Sequence, residues 1–534
     1  MLRPSDELVF APLGGVGEIG MNLALYGFGH ERHRQWLAVD LGVAFAGDDL
    51  PGIDLILPDI RYLVEERRNL VGLVLTHAHE DHFGALIDLW PQLEIPVYAT
   101  PFTAALLAAK REGEFGAPDI PVQIIPVGGR FQLGPFDLEY VSMAHSIPES
   151  NGLIIRTPVG SVLHTGDWKI DASPVIKPGT DEAKLRALGD AGCLALIGDS
   201  TNAVREGRSP SEADVAKCLA ELIRTAPRRV AVTTFASNVA RFRIAQVARE
   251  TGYLDGIKEF RAADVYGHLP PDKVLAVCTG SQGEPRAALS RIAQDDHPEV
   301  AFSPGDRVIF SSRAIPGNEK AVMRVINGLV TQGVEVITDR THLVHASGHP
   351  RMDELRDVIG WVRPQILLPV HGEALHMDEH AKLARHAGVG KVAVCKDGEL
   401  IRLAPTGPDK IDEIPAGRTY KDGSLLVSAE ERTVADRRRL GFAGIVSVAL
   451  ALSDRGELLA DPALMLTGIP AVNVNGRSLA EIAYDAAMRA FESLPRAQRR
   501  DPEAVAEAIR RAIRATLGTA WKKKPTCHVH VLEV

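Results

Sequence analysis

Four side chains of metal-ligating type, His77, His79, Asp81 and His82, fall within six residues of the stretch Val74-Leu75-Thr76-His77-Ala78-His79-Glu80-Asp81-His82-Phe83-Gly84. Imidazole and carboxylate are ligands for zinc or a similar divalent ion. A single histidine would be an ordinary core or surface residue. This density of ligand types after a strand is a metal motif. His77 and His79 can reach one ion, while Asp81 and His82 turn toward a second. The apolar run Leu70 to Leu75, broken only by Gly72, predicts a buried strand. Gly84 and the apolar run after it predict the entry to a helix. The motif therefore sits on a strand-to-helix loop, where an α/β fold presents its chemistry.

Other candidate residues recur at predicted strand ends. Trp36 to Val39 leads into Asp40, a carboxylate placed to orient a ligand histidine from behind. Tyr140 to Ala144 leads into His145, Val162 to His164 into Asp167, Ala195 to Gly198 into Asp199, and Ile366 to Val370 into His371. Taken singly, each is a turn with a polar residue. Together they are what a metal site at one edge of layered sheets requires. Gly14 to Asn22 is glycine-rich, but its spacing does not fit a dinucleotide loop, and a tight hairpin turn near the site is the better reading.

Between about residues 206 and 365 helical stretches alternate with short strands near 230–235, 274–278, 307–310 and 334–337, which predicts a small parallel-sheet domain. Its strand-exit loops, Ala236-Ser237-Asn238, Thr279 to Glu284 and Ser311-Ser312-Arg313, are polar and small-residue rich. They could cap helices or seat an anion. His342, His345 and His349 follow them. Arg437-Arg438-Arg439 marks the boundary to a last domain. There, Ser478 with Glu481 predicts a capping box, Asp501-Pro502 starts a helix, and Val505, Ile509, Ile513 and Leu517 share one face. His528 and His530 alternate on a strand without a carboxylate and are left out of the metal site.

A length of 534 residues suggests about three domains. A hydrophobic fraction of 45% supports a sizeable core, and no apolar run reaches membrane-spanning length. The N-terminus lacks a signal-peptide pattern. Five scattered cysteines fit reduced thiols in a cytoplasm. A net charge of −9 argues against a whole-surface nucleic-acid binder but not against a local cationic channel.

His77-x-His79-x-Asp81-His82, then His145, Asp167 and His371, resembles the ligand series of the metallo-β-lactamase fold. The segment between Asp199 and His371 resembles the β-CASP domain of nucleic-acid-processing members, with Asp199, His349 and His371 matching that subgroup's additional motifs. Within the subgroup the chain is similar to the bacterial ribonuclease J family. Gly14 to Asn22, His145-Ser146-Ile147-Pro148, Asp199-Ser200-Thr201-Asn202, Phe235 to Val239, Thr279 to Pro285, Ile315 to Glu319 and His345 to His349 carry this likeness, which covers nearly the whole chain. The implied fold is α/β: a metallo-β-lactamase αββα sandwich (1–205 and 366–435) with an inserted β-CASP α/β domain (206–365) and a small α+β C-terminal domain (440–534).

The resemblance also implies a function. Two divalent ions, zinc or alternatively manganese, would be held by His77, His79 and His145 and by Asp81, His82 and His371, with Asp167 bridging. Hydroxide activated by the two ions would attack an RNA phosphodiester. His349, oriented by Asp199, would assist the leaving 3′ oxygen, and Asp81 counts among the catalytic residues as well as the ligands. Ser237, His345 and Ser347 would grip a 5′ monophosphate. The expected activity is a 5′-to-3′ exonuclease on single-stranded RNA, with endonuclease activity, in RNA maturation and mRNA decay. The expected state is a cytoplasmic homodimer or higher homo-oligomer without membrane association. A β-CASP DNA nuclease is one alternative, although DNA-directed relatives tend to have valine where His371 stands. An inactive RNA-binding subunit is the other, although such paralogues tend to lose ligands and this chain has the full set.

Overall fold

The computed structural model describes residues 6–234, 247–253, 260–315 and 318–534. The first strand among the described residues, Glu7–Gly14, shows how the layers arise. Side chains alternate across a strand, so a strand buried on both faces must be apolar at nearly every position. Val9, Ala11 and Leu13 point into one core and Leu8 and Phe10 into another. This strand lies inside an eight-stranded sheet, in the order Asp409–Glu413, Glu399–Ala404, Glu7–Gly14, Leu23–Gly29, Gln35–Val39, Leu70–Val74, Val97–Ala99 and Val122–Ile124.

A seven-stranded sheet faces it, in the order Arg130–Leu133, Phe136–Ser142, Asn151–Thr157, Gly160–His164, Ala195–Asp199, Ile366–Val370 and Lys391–Val392. Phe10, Tyr26, Leu37 and Val74 of the first sheet meet Phe136, Tyr140, Ile155, Ile197 and Leu368 of the second in the central core. The outer face of the first sheet is covered by helices Leu86–Leu93 and Pro101–Glu112. Helices Glu182–Ala191, Met352–Val362 and Ala374–His386 cover the second. The result is an αββα sandwich, as the family resemblance implied.

The segment leaving Asp199 builds the expected parallel sheet before the chain returns at Ile366. Its order is Leu275–Cys278, Val230–Thr234, Arg307–Ser311, Glu335–Ile337. Two of its polar exit loops bind the protein itself. Gln282 donates to the Arg313 carbonyl at 2.9 Å and accepts from the Ile315 N–H at 2.8 Å, and Ser311 donates to the Val344 carbonyl at 2.7 Å. The loop Ala236-Ser237-Asn238 lies outside the described residues.

Packing divides the chain into two compact units, 1–45 with 55–421, and 46–54 with 422–534. The arginine run does not fall at a break. It lies inside helix Thr433–Ala443, and Arg437 donates to the Gly52 carbonyl at 3.2 Å, so it belongs to the second unit's own packing. In that unit Ile445–Leu452 runs antiparallel to Ala463–Thr467 and parallel to Thr526–Glu533. Helices Leu479–Ser493 and Pro502–Trp521 cover one face. Val505, Ile509, Ile513 and Leu517 are fully buried there. Ser478 accepts from the Glu481 N–H at 3.2 Å, and Asp501 caps the second helix. His528 and His530 are exposed. Among the described residues, no helix is long and apolar enough to cross a membrane.

Candidate metal centre

Strands Gln35–Val39, Leu70–Val74, Phe136–Ser142, Gly160–His164, Ala195–Asp199 and Ile366–Val370, drawn from both sheets, deliver their exit ends to one place. Three groups of ligand-type atoms form there, each with its atoms within 4.8 Å of one another: His77, His79, His145 and Asp167; Asp81, His82, Asp167 and His371; and Asp167, Asp199, His349 and His371. Asp167 is common to all three. The structure thus brings together every proposed ligand, together with the His349 and Asp199 pair.

The motif loop is short because a helix begins inside it. Glu80–Phe83 is helical, with His79 at the N-cap position and Glu80 and Asp81 in the first turn, where negative charge suits the helix dipole. The helix expected after Gly84 is present at Leu86–Leu93, and the turn Glu80–Phe83 precedes it unforeseen. Residues 41–43 strap this turn down: the Leu41 N–H donates to the His82 carbonyl at 2.7 Å and the Val43 N–H to the Glu80 carbonyl at 3.0 Å. Only glycine fits between them, since a Cβ on Gly42 would stand 1.7 Å from the Asp81 carbonyl oxygen.

Hydrogen bonds on the far side of each ring fix which nitrogen faces the centre. Asp40 accepts from His82 Nδ1 at 2.7 Å. It also accepts from the Thr76 N–H and Oγ1, each at 2.8 Å. Thr76 Oγ1, having donated to Asp40, accepts from His77 Nδ1 at 3.0 Å. The Gly348 carbonyl accepts from His145 Nδ1 at 2.7 Å, and Asn22 Oδ1 accepts from His371 Nδ1 at 2.8 Å. Each of these four imidazoles is protonated on its outer nitrogen and aims Nε2 inward.

The inner atoms then crowd. His79 Nδ1 lies 3.2 Å from His77 Nε2 and 3.0 Å from His145 Nε2. His82 Nε2 lies 3.2 Å from Asp167, and the buried His371 Nε2 has no hydrogen-bond partner among the described residues. Converging lone pairs and carboxylates require positive charge, and this donor set fits divalent cations. In the metal-free chain a proton on His82 supplies part of that charge. Burial opposes charge on His82, but Asp167, Asp81 and Asp40 outweigh it and raise its pKa well above the usual value. Burial, with His82 nearby, keeps His77 well below its usual value, and burial holds His79 down at about 4.

At the edge of the cluster, His349 Nδ1 donates to Asp199 Oδ2 at 2.8 Å. Burial again opposes charge, yet Asp199 and Asp167 push His349 up to about 9. Asp199 Oδ1 accepts from the Thr201 N–H at 2.9 Å and the Thr201 hydroxyl at 2.8 Å. Ser347 Oγ accepts from Asn202 Nδ2 at 2.7 Å, which leaves its own proton free to donate. Burial and the nearby Arg313 lower His345 to about 4, so its ring is neutral. Ser237 lies outside the described residues. Asn22, Thr76, Gly42 and Gly348 escaped the sequence reading as functional residues. Asn22 and Gly348 lay inside stretches that carry the family likeness, and Thr76 and Gly42 stood beside His77 and near Asp40, but nothing in the sequence gave any of them a role.

Comparisons with known proteins agree with this fold. Residues 49–198 match the beta-lactamase superfamily domain, 242–329 the ribonuclease J beta-CASP domain, 333–394 the Zn-dependent metallo-hydrolase RNA specificity domain, and 432–534 the ribonuclease J C-terminal domain. A ribonuclease J from Sinorhizobium meliloti is 51% identical over 100% of this chain and 98% of its own length. One from Thermus thermophilus is 37% identical over 90% of this chain and 87% of that protein, and one from Mycobacterium tuberculosis is 34% identical over 99% and 98%. A crystal structure of an Enterococcus faecalis protein of unknown function shares the fold, with a TM-score of 0.52 at 18% identity, over 74% of this chain and all of that one. With its beta-lactamase superfamily, beta-CASP and C-terminal domains all matched and a relative 51% identical over the full length, the chain belongs to the ribonuclease J family of metal-dependent ribonucleases.

Proposed function

We propose that this ribonuclease degrades single-stranded RNA from a 5′-monophosphorylated end, in the 5′-to-3′ direction, and also cleaves internally, in RNA maturation and mRNA decay. The observation that carries this reading is a pair of ligand clusters sharing Asp167, with the His349 and Asp199 pair at their edge. His77, His79 and His145 would hold one divalent ion and Asp81, His82 and His371 the other, with Asp167 bridging. Zinc suits the imidazole-rich set, and manganese is also accepted. When bound, the ions supply an attacking water of lowered pKa and offset charge on the phosphoryl group.

The protein's own groups do the rest. Asp199 fixes the ring of His349 through Nδ1–H, which leaves Nε2–H of the protonated ring to donate. As the P–O3′ bond breaks, that proton passes to the 3′ oxygen. The products are a 5′ phosphate and a 3′ hydroxyl. Ser347, with its free hydroxyl proton, the neutral His345, and Ser237 bind the terminal phosphate oxygens. Single strands suit a channel beside the inserted domain. The division of the larger unit into 1–205 with 366–421 and an inserted domain 206–365 belongs to the same reading, with the last boundary moved from 435–440 to the break after Lys421. So does assembly as a homodimer or larger, and a cytoplasmic setting, which five cysteines without disulfides support. Time courses on one RNA bearing a 5′ monophosphate, triphosphate or hydroxyl provide the test. Mononucleotide release should be fastest from the monophosphate, and equal release from all three would contradict the pocket.

A further inference from the structure

The outer partner of His145 comes from an unexpected part of the chain. Its Nδ1–H donates at 2.7 Å to the carbonyl of Gly348, 203 residues away, and both groups are buried. A carbonyl can only accept, so this contact fixes the ring tautomer. The approach leaves no room for a side chain: a Cβ on Gly348 would stand 2.4 Å from Cε1 and 2.5 Å from Nδ1 of His145, and 3.1 Å from Ser146 Oγ. Gly348 is not among the residues with positive φ, so alanine could adopt its backbone conformation, and the contact with His145 is what demands glycine.

The loop around Gly348 is pinned on both sides. Ser311 donates to the Val344 carbonyl at 2.7 Å. Asn202 Nδ2 donates to Ser347 Oγ at 2.7 Å and to the His349 carbonyl at 3.1 Å. Ser209 Oγ donates to that same carbonyl at 3.0 Å. The five residues His345 to His349 therefore carry phosphate-binding candidates, the candidate acid, and between them the carbonyl that orients a metal ligand.

We propose that Gly348 is a positioning residue of the metal centre, so that the subsite of His77, His79 and His145 is complete only when the His345–His349 loop is seated. This rests on the proposed assignment of His145 as a ligand. Carbonyl partners of this kind typically govern about 10–100-fold in metal affinity.

The test is chelator competition for zinc and for manganese on the full-length protein, with total metal content and the melting temperature of the metal-free form measured alongside. In Gly348→Ala one ion should bind about 10–100-fold more weakly while the other is held as in the wild type. The metal-free melting temperature should change little beside that loss. In a His145→Ala background the same substitution should cost no further affinity. Asn202→Ala, which loosens the loop without crowding the ring, should weaken the same ion by a smaller factor. Wild-type affinity for both ions in a folded Gly348→Ala protein would overturn the proposal, as would wild-type affinity in Asn202→Ala were the first variant not to fold. A wild-type protein that bound no divalent ion would instead refute the functional reading on which the inference rests.

Discussion

His371 adopts a φ of 51°, in the left-handed region that non-glycine residues rarely occupy. Its neighbours hold it there: its N–H donates to the Gly15 carbonyl at 2.7 Å, its carbonyl accepts from Thr201 Oγ1 at 3.2 Å, and its ring donates to Asn22. Asn22 also donates to the Asp81 carbonyl at 3.0 Å and lies 3.2 Å from His82 Nε2, so one amide serves both sides of a ligand group. Asn22→Ala should weaken divalent-ion binding by about 10–100-fold without changing the far-ultraviolet circular dichroism, measured by chelator competition. His349 yields a second expectation. Asp199→Asn removes the charge that holds its ring protonated and oriented, and turnover should fall by about 10²–10⁴-fold with metal content retained. In the metal-free protein the sign of the linkage is fixed. A histidine whose folded pKa is raised to about 9 contributes stability that is fully present below its unfolded value near 6.5 and is lost as pH rises through about 9. Urea melts of the chelated protein at pH 6.5 and 9 should show that loss, and Asp199→Asn should diminish it. The candidate ligand residues could be nominated from the sequence because residue type and strand-end position single them out, and the structure brings them together. Asn22, Thr76 and Gly348 could not, since their roles arise from contacts between segments far apart in the chain.

Several elements obey simple periodicities and could be read in advance from the residues, while the layered arrangement that joins them was expected from the family resemblance. Val230–Thr234, Leu275–Cys278, Arg307–Ser311 and Glu335–Ile337 appeared within a residue or so of expectation, because short runs rich in apolar and β-branched residues between turn signals read as strands, at the exposed edges of the sheet as well as at its centre. The face of Val505, Ile509, Ile513 and Leu517 was likewise plain. Truncating Ile509 to alanine should destabilise the C-terminal unit by about 2–5 kcal/mol, seen in its denaturant midpoint, with metal content unchanged. What the pattern hid was the turn Glu80–Phe83. Four residues are too few for a helical period, and this turn is stabilised by backbone bonds from residues 41–43. Gly42→Ala would drive a Cβ into the Asp81 carbonyl. It should displace the motif loop and abolish metal retention, even though no ligand has been altered. Metal analysis after dialysis checks this, and full retention would show that the strap is not what shapes the loop.

Across the whole molecule, every ligand-type residue of the cluster lies in the unit formed by 1–45 and 55–421. A chain ending at Lys421 should therefore still bind divalent ions, while losing assembly or processivity if the C-terminal unit organises the oligomer. Light scattering and metal analysis on that chain separate the two outcomes. The central claim, that this cluster hydrolyses RNA through bound divalent ions, is tested most directly by one assay. A 5′-monophosphorylated single-stranded RNA is incubated with wild-type and His79→Ala protein, each as purified, after chelation, and after divalent metal is restored. Wild type should degrade the RNA, stop when chelated and recover with metal, whereas His79→Ala should stay inactive throughout. RNA degradation by the chelated wild type at its original rate, or by a fully active His79→Ala protein, would contradict the account.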